Sequence, residues 1–227
     1  MQYIHVNMSL FVISKLNLAN KKVKAKDFSE KLITLPNELS LVSIKPLIEK
    51  NYLILEIEES VSLKFSYLDN PLQLSLKTKS IIHFDGDGLM ISSPNGIGII
   101  TKGGAKKYID TYIGKVIAKS LLDDESAYIP FTFSNQQMNP AQWGEELGYL
   151  KVSLPDIGSG TIIGKSLTSK IKDMDHFFGG IEEGKITAFK VSSKALKRTV
   201  NISSNGTVKV QNKDILPVFE YIQNSIK

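Results

Sequence analysis

The chain of 227 residues has no cysteine, one arginine, one tryptophan and three histidines. Without thiols there are no disulfides, no thiolate metal ligands and no cysteine nucleophile. His5, His83 and His176 are the only imidazoles, and no Gly-x-Ser-x-Gly elbow is present, so triad chemistry has little material. No segment approaches the roughly 20 uncharged apolar residues of a membrane-spanning helix. Met1 to Ala19 alternates in polarity, carries His5 and Lys15, and lacks a basic leader ahead of a compact apolar block. These absences point to a cytoplasmic protein with no membrane partner, and no motif announces a cofactor.

What is present is a foldable balance: 42% of residues are hydrophobic and 22% charged, which excludes a disordered chain. The formal charge is +5, carried almost wholly by lysine because Arg198 is the only arginine. Lysine neutralises phosphate as a point charge, whereas the arginine fork reads guanine. A nucleic-acid partner would therefore be held by its backbone or shape.

Alternation predicts a strand within residues 3 to 18, and spacing predicts a helix from Lys26 to Leu35, stopped by Pro36. Past an apolar stretch broken by Pro46, strands are expected at Tyr52 to Glu58, Val61 to Leu68 and Leu72 to Phe84. A hairpin follows, Leu89 to Ser93 and Ile97 to Thr101 around Asn95-Gly96. The clearest helix is Ala105 to Leu122, with Ile109, Tyr112, Ile113, Val116, Ile117 and Leu121 on one stripe. Further on, Tyr128 to Phe133 reads as a strand, and Pro140 to Leu147 and Ser166 to Phe178 as helices. Lys185 to Val191, Arg198 to Ser203 and Thr207 to Val210 read as strands, with Asn205-Gly206 turning the last hairpin. Asp214 to Ile226 closes the chain as an amphipathic helix with Pro217 in its first turn.

Short matches recur in the same order in both halves. Ile91-Ser92-Ser93-Pro94-Asn95-Gly96 returns as Ile202-Ser203-Ser204-Asn205-Gly206, Ile57-Glu58-Glu59 as Ile181-Glu182-Glu183, and Tyr112 to Ile117 as Tyr221 to Ile226. The expected fold class is therefore α+β with two related halves, residues 1–124 and 125–227. Each half is an antiparallel curved sheet with an amphipathic helix packed on one face, the two forming separate repeats or one pseudo-symmetric domain.

The repeated unit resembles one repeat of the TATA-box-binding protein family. Ile202-Ser203-Ser204-Asn205-Gly206 is similar to that family's Ser-Ser-Gly turn, and Phe178-Gly179-Gly180-Ile181 to its Phe-Pro-Gly approach to the sheet. The resemblance implies a duplicated curved sheet. It departs from the family where Ile202 stands in place of a DNA-kinking phenylalanine and where arginines are lacking.

Three stretches carry possible chemistry. Ile157 to Ser166 nearly reads as a phosphate-binding loop, but Ser159 occupies the place of its first glycine, which favours a glycine-rich connector. His83, Asp85 and Asp87 would share one side of an extended strand and could ligate a divalent metal, although Asp-Gly-Asp-Gly is also turn chemistry. Asp173, Asp175 and His176 form a second such set. Gly103 and Gly104 before Lys106 and Lys107 suit a helix N-terminus that attracts anions.

The leading expectation is a non-enzymatic binding protein that contacts nucleic acid backbone through lysines. The candidates are Lys102, Lys106, Lys107, Lys190, Lys194, Lys197, Arg198 and Lys209. A protein-interaction module using the polar loop Ser134 to Pro140 beside Trp143 is the alternative, and a metal-dependent phosphoryl-transfer or nuclease enzyme built on His83, Asp85 and Asp87 is a third.

Overall fold

Strand-forming segments dominate because β-branched and aromatic residues recur in alternation, and they give a mixed α+β fold with antiparallel pairing. The computed structural model describes residues 9–18, 23–28, 39–63, 70, 72–84, 89–94, 114–154, 158–162, 185–211 and 215–226. The chain divides into two compact units. The first is Phe11–Pro130, and the second is Phe131–Lys227 together with Met1–Leu10.

In the first unit, which takes β1 (Ser9–Leu16) from Phe11 onward, β1, β2 (Leu39–Leu47), β3 (Tyr52–Leu63), β4 (Leu72–His83) and β5 (Leu89–Pro94) lie in the order β2-β3-β4-β5-β1. A short β6 (Tyr128–Pro130) also pairs with β1. Phe11, Val12, Ile13 and Ser14 are all fully buried, so β1 is covered on both faces. The strands expected at Tyr52 to Glu58 and Val61 to Leu68 are one strand as far as Leu63. Glu59 and Ser60 interrupt the apolar pattern but keep their ladder places opposite Leu76 and Ser75.

Asn51 turns the chain between β2 and β3 at a φ of 50°, a left-handed conformation that asparagine tolerates. Its side-chain oxygen accepts the Ala25 N–H at 2.8 Å, and its carbonyl accepts that of Phe84 at 3.3 Å. These bonds bring a 3-10 turn, Ala25–Phe28, onto the sheet, where Phe28 stacks on Phe84 at 5.2 Å. This turn is the described part of the helix expected at Lys26 to Leu35. The helix α1 (Gly114–Leu122) buries Ile117, Ala118, Leu121 and Leu122. A Cβ at Gly114 would run into the Tyr128 ring, so glycine lets the helix lie close against β6. The preceding residues of that expected helix, Ala105 to Ile113, lie outside the described residues, as does the hairpin arm Ile97 to Thr101.

In the second unit, β7 (Glu146–Leu154), β8 (Gly158–Ile162), β9 (Lys185–Ser193), β10 (Arg198–Ser203) and β11 (Thr207–Val210) lie in the order β11-β10-β9-β7-β8. The helix α2 (Ile215–Ser225) follows and carries Pro217 in its first turn. The register Phe189↔Ile202↔Val208 puts these buried residues on one face. Trp143 meets the Phe189 ring at 6.3 Å and the Tyr221 ring of α2 at 5.9 Å, so this face looks toward the helix. Ser203 and Thr207 pair across a three-residue loop in which Gly206, at φ 84°, donates to Ser203 O. That is the glycine-bulge form of the hairpin, with the positive φ at Gly206.

Two expectations are corrected here. Pro140 to Leu147 is not a helix: a 3-10 turn, Pro140–Gln142, gives way to β7 at Glu146. Asn139 caps the turn through the Ala141 N–H, and the Glu145 N–H then bonds Ser192 O at 2.9 Å, drawing the chain into the ladder. A Cβ on Gly144 would lie 2.4 Å from that same oxygen. The second correction is the glycine-rich stretch. Gly158–Ile162 is strand β8, paired with β7 through Val152↔Gly160, so its backbone is extended along a ladder rather than curled around a phosphate. The helix expected at Ser166 to Phe178 and the Phe178-Gly179-Gly180 match lie outside the described residues.

Candidate nucleic-acid interface

The face of the second unit's sheet opposite Phe189 and Ile202 collects the polar alternates of four strands. Cross-strand register aligns Tyr149↔Lys190↔Asn201↔Lys209 in one row. The next row is Lys151↔Ala188↔Ser203↔Thr207, and on the other side lies Glu146↔Ser192↔Thr199. Lys151, Lys190 and Lys209 are exposed, and Glu146 is the carboxylate that shares their face among the described residues. Strand spacing of about 4.8 Å sets the backbones of Lys190 and Lys209 roughly 10 Å apart. Their flexible stems can reach successive charges of an extended polyanion.

Local features shape the row. Residue Gly148 is skipped where the β7–β9 register shifts between Leu147 and Tyr149. A Cβ there would meet Cγ and Cδ of Lys190 at 3.2 Å, so the stem of Lys190 lies close over the bulge. Tyr149 is half-buried, and the Lys151 ammonium stands 6.0 Å from its ring centroid. Burial raises the Tyr149 pKa above the ordinary 10.0, which keeps the phenol neutral at physiological pH. The Oδ1 of Asn201, between the two lysine-bearing strands, is buried with no hydrogen-bond partner.

The first unit's sheet handles charge differently. There Glu56 and Lys79 are opposite one another in register and form an ion pair at 3.8 Å. No ion pair among the described residues engages Lys190 or Lys209.

Of the lysines singled out in the sequence, the fold brings Lys190 and Lys209 into one row. Lys194, Lys197 and Arg198 are exposed at the β9–β10 turn, where Glu145 Oε2 accepts the Lys194 backbone N–H at 3.0 Å. They stand at the sheet's end rather than within the row. Lys102, Lys106 and Lys107 lie outside the described residues. Tyr149 and Lys151 were missed, because Leu150 and Val152 alternate inward on a strand hidden behind the expected helix.

Ile202, which the resemblance sets against a base-wedging phenylalanine, is fully buried on the helix side and is not presented outward. Trp143 is likewise core, 1% exposed. Its indole N–H donates to Gln137 O at 2.7 Å, and Tyr221 donates its hydroxyl to the Trp143 carbonyl. The loop before it is braced internally: Ser134 and Gln137 exchange backbone-to-side-chain bonds, and Gln137 Nε2 donates to Ile226 O. That loop offers no exposed tryptophan to a partner chain. His83 packs edge-on against Tyr52 at 5.1 Å. Asp85, Asp87, Asp173, Asp175 and His176 lie outside the described residues, and no group of three potential metal ligands occurs among those described. No helix among the described residues is long and apolar enough to cross a membrane. No protein-family model matches the chain, and no curated protein matches it significantly.

Proposed function

We propose that the protein is a non-enzymatic binding protein that holds the backbone of a nucleic acid on the second unit's sheet, chiefly through Lys190 and Lys209. The observation that carries this reading is the register row in which these two exposed lysines flank Asn201 on a face where, among the described residues, Glu146 is the single carboxylate. A row of flexible ammoniums without competing carboxylates suits a chain of phosphates. In this reading the scaffold is two related halves in the manner of the TATA-box-binding protein family. The glycine-bulge turn at Ser203 to Gly206 followed by an amphipathic helix supports that view of the second half.

The test is a binding titration of duplex and single-stranded DNA at about 50 and about 200 mM salt. Binding at low salt that weakens steeply at the higher concentration is expected. No binding at low salt, or binding indifferent to salt, defeats the proposal.

A second reading, docking of a partner chain along β2, draws on one observation. Val42 on β2 and Ile48 just after it are exposed large apolar residues, and β2 is the terminal strand of the first unit among the described residues. Replacing both by serine and comparing the proteins co-purified with each form would test it, and an unchanged set of partners would remove it.

A further inference from the structure

Resting on the backbone-binding reading, we infer that the ligand is single-stranded, with one base stacked on Tyr149 while the phosphates on either side follow Lys151, Lys190 and Lys209. A duplex hides its base faces and offers a sheet only grooves and phosphates; a single strand offers π faces as well. Tyr149 is the aromatic on this face of the sheet among the described residues. It stands in the same row as Lys190 and Lys209 and two residues from Lys151 on its own strand. A half-buried ring is held in place by its surroundings yet keeps a side open, as a stacking platform requires.

The bulge at Gly148 contributes twice. It restores Tyr149 to the outward face after Leu147 has pointed inward, and its missing side chain admits the Lys190 stem beside the ring. With the Lys151 ammonium 6.0 Å from the ring centroid, the aromatic is bordered by cations along its strand and across the ladder. Base stacking on one ring with phosphate contacts around it is sequence-tolerant, which agrees with a face whose donors are lysines rather than arginine forks.

The experiment uses the full chain, a labelled oligothymidylate of about 12 nucleotides and a mixed-sequence duplex of equal length. Binding is followed by fluorescence anisotropy at low salt. Parent protein, Tyr149→Phe, Tyr149→Leu and Lys190→Ala are compared after circular dichroism has established that each is folded. The expected pattern is tighter binding of the single strand, retention by Tyr149→Phe to within about twofold, and a loss of about 5-fold or more for Tyr149→Leu on the single strand alone. A Tyr149→Trp form should also bind, with fluorescence quenched by the oligonucleotide against the constant signal of buried Trp143. If salt-dependent binding persists and falls with Lys190→Ala, yet Tyr149→Leu binds like the parent or the duplex is preferred, the stacking inference is overturned and the backbone reading stands. If neither nucleic acid binds the parent, both are overturned.

Discussion

Lys190 and Lys209 stand two strands apart on one register row, separated by Asn201. Phosphate contacts are read through salt: each lysine that neutralises a phosphate adds about one unit to the slope of log affinity against log salt. Lys190→Ala and Lys209→Ala should each weaken binding across all sequences and lower that slope by about one. The double variant should lower it by about two. Lys194→Ala, at the sheet's end, should change the slope less. A larger effect from Lys194→Ala than from either sheet lysine would place the contact at the turn rather than on the sheet.

Asn201 presents a different expectation. A buried acceptor without a partner costs about 1–3 kcal/mol, and a β-branched residue suits a strand better than asparagine. Asn201→Thr should therefore leave thermal stability unchanged or raise it. If the same variant weakens oligonucleotide binding, the unpaired oxygen is retained for the ligand; a marked drop in melting temperature would show that the amide is structural.

Trp143 joins Phe133, Phe189 and Tyr221 in the second unit's core. Trp143→Ala should cost about 3–5 kcal/mol, read as a lower urea midpoint. Trp143→Phe should cost less, because the ring contacts survive and only the bond to Gln137 O is lost. A surface role for Trp143 would instead leave stability nearly untouched in both.

Burial, foremost, raises the Tyr221 pKa above its ordinary 10.0; nearby Glu145 adds to this, while bonds with Ser193 and Ser225 oppose it. Folding therefore favours the neutral phenol. That stability is fully present below about pH 10 and is lost as pH rises from there through the higher folded value. Urea midpoints measured from pH 8 upward should decline above about pH 10, and Tyr221→Phe should flatten part of the decline. The same slope in both proteins would assign it to other groups.

Asp85 and Asp87 invite a metal test. If they shape a turn, Asp85→Asn with Asp87→Asn should be tolerated, because asparagine adopts the same turn conformations. Magnesium, manganese and calcium should then give no thermal shift in the parent. An upward shift that the double variant loses would favour the metal-dependent enzyme instead.

The parts of the fold that could be read from residues are those where local chemistry and tertiary pairing agree. β10 and β11 run over the residues expected, because Val200, Ile202, Val208 and Val210 alternate cleanly around an Asn-Gly turn. α2 has its apolar stripe and an early proline. β7 was hidden by Gly148, since a bulged glycine breaks the period of two that marks a strand. β8 has little strand propensity of its own and is held by pairing with β7, which no local pattern reveals. The interface suffered the same loss. Lys190 and Lys209 could be named as cations, but the row that joins them to Tyr149 depends on cross-strand register and on that bulge.

The position of β1 sets a timetable for synthesis. This strand leaves the ribosome before its neighbours, and its apolar residues Phe11, Val12, Ile13 and Leu16 end fully buried between β5 and β6. Those neighbours begin only at Leu89 and Tyr128. At about 5–20 residues per second, the nascent strand waits on the order of ten seconds for β6. During that interval it is a sticky, unpaired segment, and holding factors that bind extended apolar chains have their natural opportunity there.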